Sequence, residues 1–158
     1  MNMEKHQDKR TITFTLNGQA MQVEVPVNEL LIDTLRERLN LTGTKKSCDV
    51  EVCGACTVLA DGLPVSSCTT LTLDVDGKTL TTIEGVAKDG QLSRVQQAFV
   101  DHGALQCGFC TPGMVLAVTA LLELNPHPSE EEIRHFLRGN ICRCTGYIKI
   151  IEGVKSLA

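Results

Sequence analysis

Eight cysteines in two groups of four constrain this chain more than any other feature: Cys48, Cys53, Cys56 and Cys68, then Cys107, Cys110, Cys142 and Cys144. What eight thiols can do depends first on compartment. The opening segment, MNMEKHQDKR, is polar and mixed in charge, with no apolar run and no twin-arginine pair. No export signal is visible in it, and the cytoplasm is the expected location. Thiols are kept reduced there, so metal ligation becomes the leading account of the cysteines, ahead of disulfides.

The first group has the spacing C-x4-C-x2-C with a fourth cysteine downstream, the plant-type ferredoxin spacing for a [2Fe–2S] cluster. Each iron takes two thiolates at tetrahedral angles, so a loop wraps the cluster with three ligands and an adjacent strand supplies the fourth. Gly54 and Ala55 are small enough to let backbone N–H groups approach the sulfurs. A structural zinc site with four cysteines is the alternative, but such sites more often pair two short knuckles. A Rieske arrangement needs two histidines, and His6, His102, His127 and His135 stand in no such pattern. In the second group, Cys107-Gly-Phe-Cys110 and Cys142-Arg-Cys144 each lie beside a helix end. Spacing alone leaves zinc, [2Fe–2S] and [4Fe–4S] open here. A thioredoxin-like role for the C-x2-C pair lacks its βαβ surroundings, and the C-x-C sulfurs are better placed to share a metal centre than to form a disulfide.

The hydrophobic period changes between the two groups. Ile12, Phe14 and Leu16 alternate with threonines as a strand, Asn17-Gly18 is a tight hairpin turn, and Met21, Val23 and Val25 form a second strand. Asn28 is placed to cap a helix with Leu31, Leu35 and Leu39 on one face. Thr57 to Ala60 and Leu63 to Cys68 flank the turn Asp61-Gly62, and a last strand is expected from Lys78 to Glu84. The second half reads as four helices. Ser93 with Gln96 and Ser129 with Glu132 are capping boxes, while Thr111-Pro112 reads as an N-cap and first helical residue. The helix from Gly113 to Leu124 is apolar nearly all round and must be buried. A final helix carries Ile150, Val154 and Leu157 on one face. The fold class expected is α+β.

Several functions are disfavoured. Net charge is −4 with Lys and Arg scattered, and aromatic residues make up only 3% of the chain, so neither a phosphate-binding stripe nor a base-stacking platform is present and no nucleic-acid partner is expected. No stretch approaches the ~18 apolar residues of a membrane span. No carboxylates or histidines form a catalytic constellation, so no catalytic residue is expected in this chain.

Four stretches carry a wider likeness. Thr42-Gly43-Thr44-Lys45, CDVEVCGACTV from Cys48 to Val58, Gln106-CGFCTPGM and Gly139-Asn140-ICRCTGY resemble the small iron–sulfur subunits of the molybdenum hydroxylases. That is the xanthine dehydrogenase and aldehyde oxidoreductase family, with bacterial carbon monoxide dehydrogenases and hydroxybenzoyl-CoA reductases among its members. The resemblance runs from about Phe14 to the C-terminus and includes all eight cysteine positions. It implies a plant-ferredoxin-like β-grasp domain over 10–85 and a four-helix bundle over 86–158, each holding one [2Fe–2S] cluster. It implies that the second group holds the cluster nearest a molybdopterin, in dinucleotide form, in a large oxidoreductase subunit. The first group would hold the cluster nearer FAD in a medium subunit, within a dimer of heterotrimers. Electrons would pass from molybdenum through the second cluster and then the first, to FAD or another acceptor. Gln106 matches a glutamine that contacts the pterin, and Cys144 a ligand close to the pterin edge. Apolar residues around Phe109 and Ile141 are expected at a partner interface. A free two-cluster ferredoxin is the runner-up, and a zinc-stabilised interaction module the third reading. One departure stands out: Glu51 occupies a position commonly held by glycine, which implies added negative charge near the first cluster and, if φ is positive there, local strain.

Overall fold

The hairpin turns form where the sequence places them. In the computed structural model, which describes residues 8–158, Asn17 and Gly18 have φ of 51° and 84°, the left-handed pair that a two-residue loop matched to strand twist requires. They join β1 (Lys9–Leu16) to β2 (Gln19–Pro26) in antiparallel register, Leu16 opposite Gln19. Asp61 and Gly62, at 49° and 81°, do the same for β3 (Thr57–Ala60) and β4 (Leu63–Ser66). With β5 (Thr79–Thr81) these strands make one mixed sheet, in the order β2-β1-β5-β3-β4. β1 and β5 run parallel, and all other pairs are antiparallel. The alternating Ile12, Phe14 and Leu16 face a core shared with Val25, Val58 and Leu80.

A short helix, α1 (Leu31–Asp33), widens into a π-helical turn (Thr34–Arg38) and buries Leu31 and Leu35, with Leu39 packed alongside. Asn28 does not cap it. The N-cap is Leu30, and the first amides are taken by the 67–70 segment: Leu31 N–H donates to Thr70 O at 2.8 Å and Ile32 N–H to Ser67 O at 3.0 Å. Backbone acceptors from the segment carrying Cys68 make a side-chain cap unnecessary. β4 stops at Ser66 rather than Cys68, and β5 stops at Thr81. Asn17 ends β5: its Oδ1 accepts from Thr82 N–H at 2.9 Å and its Nδ2 donates to Thr82 Oγ1 at 3.0 Å. The chain then turns through a 3-10 segment, Ile83–Gly85.

Beyond the sheet lie α2 (Arg94–Asp101), α3 (Thr111–Leu124), α4 (Glu130–Phe136) and α5 (Ile148–Lys155). Both capping boxes close reciprocally, Ser93 with Gln96 and Ser129 with Glu132. α3 starts one residue early, with Cys110 as N-cap and Thr111 already helical. Pro112 is tolerated in that first turn because its missing N–H has no intrahelical acceptor to serve. The all-round apolar character of α3 has two sources. One side packs on α2 and α4, and the other lies on β3, where Leu116 and Ala120 meet Leu59. The sheet and the helical part therefore share α3. Among the described residues no helix is long and apolar enough to cross a membrane. Residues 1–7 of the polar opening segment, His6 among them, lie outside the described residues.

Candidate functional site

The first cysteine loop runs from the end of the π-turn to β3, and its backbone is bent to bring amides toward sulfur. Asp49, Glu51 and Gly54 have φ of 58°, 57° and 66°. Two of the three are not glycine, so Glu51 does sit in the left-handed region, and its conformation is held by contacts. Its carboxylate Oε2 accepts from Thr69 Oγ1 at 3.1 Å, and its backbone N–H donates to the sulfur of Cys68. The Cys48 sulfur takes the Val52 N–H at 3.4 Å together with amides of Val50 and Cys53. Those donors favour the thiolate and draw its pKa down to about 6. Cys56 and Cys68 are buried with Ile32 and Leu30 around them. Desolvation pushes Cys68 up to about 11. The thiols associate in twos, Cys48 with Cys53 near the surface and Cys56 with Cys68 inside.

The second site repeats that pattern with different elements. Cys107 and Cys110 lie on the turn entering α3, and Cys142 and Cys144 on the turn between the 3-10 segment Leu137–Gly139 and α5. Cys107 and Cys144 are exposed, their sulfurs 3.5 Å apart. Cys110 and Cys142 face each other inside. Burial, with Cys142 beside it, pushes the Cys110 thiol up to about 12. Burial acts on Cys142 in the same direction but is outweighed by several donors together: Thr145, whose Oγ1 and N–H reach the sulfur at 3.1 and 3.5 Å, the Cys144 amide and the Cys110 thiol, leaving that pKa lowered. Tyr147, at φ 68°, opens α5. Its hydroxyl oxygen accepts the Cys142 N–H at 2.9 Å while its O–H donates to Asn140 O at 3.3 Å. Gln106 is exposed beside Cys107; Leu105 and Phe109 of the same turn are exposed too, as is Ile141 before Cys142.

A [2Fe–2S] cluster fits this donor set. Each iron takes two thiolates, and each site offers two thiol pairs with N–H donors aimed at sulfur. Among the described residues no three His, Cys, Asp or Glu donors gather about a single point as one metal ion requires. Several residues that build the sites carry no metal-binding signature in the sequence. Tyr147, Thr145 and Asn140 hold the second loop, Thr69 holds Glu51, and Arg36 fixes the 42–45 stretch by donating to Thr42 O and Thr44 O at 3.1 and 2.8 Å. The one available hint was that Tyr147 is the sole tyrosine and sits inside the ICRCTGY stretch.

Comparison with known proteins finds a family match over each part of the chain. Residues 14–81 match the 2Fe-2S iron-sulfur cluster binding domain, and residues 82–155 match the [2Fe-2S] binding domain. The chain is 49% identical to the nicotinate dehydrogenase small FeS subunit of Eubacterium barkeri, covering 94% of each chain. It is also 49% identical to the nicotine 6-hydroxylase small subunit of Paenarthrobacter nicotinovorans, over 93% of this chain and 88% of that one. It belongs to the small iron–sulfur subunits of the molybdenum hydroxylases. Quinoline 2-oxidoreductase from Pseudomonas putida 86 superposes with a TM-score of 0.90 at 44% identity, over 93% of the subunit and 91% of that chain. Aldehyde oxidoreductase from Desulfovibrio gigas superposes at 0.89 and 42% identity, the subunit spanning 92% of itself but 16% of that longer chain. The subunit is an electron-transfer component with two [2Fe–2S] sites, part of an oxidoreductase assembly with a large catalytic subunit.

Proposed function

We propose that Cys48, Cys53, Cys56 and Cys68 ligate one [2Fe–2S] cluster and Cys107, Cys110, Cys142 and Cys144 the other. The observation that carries this reading is the association of thiols in twos, an outer and an inner pair at each site. Such a cluster supplies one-electron oxidation and reduction. The chain's own residues hold the sulfurs, exclude water from the inner pairs, and direct N–H donors at Cys48, Cys68 and Cys142. Hydrogen bonds to sulfur stabilise the more negative, reduced state.

In this reading the chain divides near residue 85 into a β-grasp domain, 10–85, and a four-helix bundle, 86–158. Exposure orients the relay. Cys107 and Cys144 open outward beside Gln106, Leu105, Phe109 and Ile141, where a large subunit presents its molybdopterin, in dinucleotide form, and Gln106 contacts the pterin. Val50 and Val52, 64% and 58% exposed, cap the first loop on the side that passes electrons to FAD in a medium subunit. Exposed apolar side chains at both ends suit a buried subunit interface. The assembly is a dimer of heterotrimers in the cytoplasm.

The test is low-temperature EPR of the complex, purified anaerobically with its partners and reduced with dithionite. Iron, sulfide and molybdenum are quantified on the same sample. Two distinct signals integrating to about two spins per copy, with molybdenum present, are expected. Zinc in place of iron refutes the ligand assignment, and two signals without molybdenum or partners point to a free two-cluster ferredoxin.

A further inference from the structure

The two cysteine sites differ in how much room their outer thiols have. The first loop is clamped to the 139–141 segment: Ile141 N–H donates to Cys53 O at 2.9 Å, and Asn140 Nδ2 donates to Gly54 O at 3.1 Å. A Cβ on Gly54 would lie 2.2 Å from Gly139 O. The outer thiols of the second site stand in open turns. Gly108 and Gly146, at φ of 81° and 63°, come within two residues after Cys107 and Cys144, and a Cβ on either would meet nothing within 4 Å. Cys107 and Cys144 are both exposed, with their sulfurs 3.5 Å apart. A disulfide needs about 2.05 Å, so side-chain rotation with a small shift of either turn closes the remaining ~1.5 Å.

Spacing along the chain favours a different bond. Cys107 and Cys110 form a C-x2-C pair, the spacing of redox dithiols. In the fold, Cys110 instead faces Cys142 inside, at the N-cap of α3. Cys142 is 7% exposed and held twice, by Tyr147 at its N–H and by Thr145 at its sulfur. Thiol–disulfide exchange needs an accessible attacking thiol and an accessible sulfur to attack. Of the four cysteines, the exposed ones are Cys107 and Cys144.

We propose that, in the subunit before it takes up iron, Cys107 and Cys144 are a redox-sensitive dithiol. Glutathione disulfide closes it into a bond between the two turns, which locks the second site against iron until a dithiol reductant reopens it. The lock rests on the ligand assignment given above, whereas the choice of partners rests on the placement of the sulfurs. One cysteine, as thiolate, attacks glutathione disulfide, whose S–S bond breaks to release one glutathione. The other cysteine then attacks the sulfur of the first, expels the second glutathione and completes the new S–S bond. The two cysteines give up two electrons and two protons, and the glutathione disulfide takes them up as two thiols. In the loaded subunit both sulfurs are committed to iron, and the pair is inert.

The test compares the full-length subunit, purified free of iron, with the loaded complex. Both are treated with glutathione disulfide, then denatured in N-ethylmaleimide and a chelator so that every free thiol is labelled. Trypsin cleaves after Arg143 and so separates Cys142 from Cys144, which lets mass spectrometry assign the bond. The iron-free subunit is expected to lose two labels, at Cys107 and Cys144, and to yield the peptides joined through them. The loaded complex keeps both labels. When iron and sulfide are then supplied to the treated subunit, the second site's EPR signal is expected to appear only after a dithiol reductant is added. Labels retained at Cys107 and Cys144, a dominant Cys107–Cys110 bond or an unselective mixture of bonds overturns the pairing. A second signal that appears without the reductant, or fails to appear with it, overturns the lock. The same Cys107–Cys144 bond forming in the loaded complex refutes the ligand assignment instead.

Discussion

Replacing Gly54 with alanine tests whether the contact between the loops stabilises the fold. The new Cβ would sit 2.2 Å from Gly139 O, 2.6 Å from Asn140 Nδ2 and 2.9 Å from Asn140 Cα. Two of these partners are backbone, and ordinary contact begins at 3.4 Å, so the 139–141 segment must retreat by about 1.2 Å. Retreat breaks the bonds from Asn140 Nδ2 to Gly54 O and from Ile141 N–H to Cys53 O, at about 1 kcal/mol each. The left-handed backbone, φ 66°, adds about 1 kcal/mol for any residue with a Cβ, and residual overpacking at least as much. The expected total is about 4 kcal/mol, which for a chain of this size lowers the melting temperature by on the order of 10 °C.

Gly62→Ala is the control. Its φ is 81°, as left-handed as that of Gly54, but nothing lies within 4 Å of its Cβ, so it carries only the backbone cost of about 1 kcal/mol. Thermal unfolding followed by the visible absorption of the iron–sulfur sites, with iron content measured before and after, compares the two. If Gly54→Ala and Gly62→Ala melt together, the packing argument is wrong.

Tyr147→Phe strands the Cys142 N–H and removes the donor to Asn140 O, at roughly 1–3 kcal/mol for a group left unpaired. Under mild chaotrope the second site's EPR signal is expected to vanish before the first, which serves as the internal standard. Glu51→Gly removes both a carboxylate beside Cys68 and a strained φ of 57°. The first site's reduction potential should rise, because a negative charge disfavours the more anionic reduced state, and an EPR redox titration showing an unchanged or lower potential refutes the electrostatic argument. In iron-free protein, Cys48, drawn down to about 6, alkylates with a half-maximal rate near that pH, while Cys110, pushed up to about 12, stays inert through neutrality. Mass spectrometry of iodoacetamide-treated protein across pH 5–9 checks that order.

What was legible in the sequence was local. Asn17-Gly18 and Asp61-Gly62 demand hairpins from their own backbone preferences, and the Ser93 and Ser129 capping boxes close within one helical turn. The three-plus-one spacing of the first cysteines confines three ligands to one loop. Asn28 misled because its local capping preference was overridden by carbonyls of the 67–70 segment, brought beside Leu31 by the fold. Thr111 misled by a single residue, since the helix begins at the cysteine before it. The all-round apolar α3 announced its burial, but its partners were a sheet on one side and helices on the other.

The chemistry is already present along the chain: eight thiols in two spaced groups, the turns and caps that shape each half, and a likeness strong enough to name a family. Folding settles which thiols come together, which of them lie exposed, and how the halves meet. The meeting point rests on Asn140 and Gly54, 86 residues apart, each lying in a recognisable cysteine stretch but with nothing along the chain to pair one with the other. Their importance arises from close approach, since a glycine without a Cβ and an amide without water become decisive only once another backbone is pressed against them.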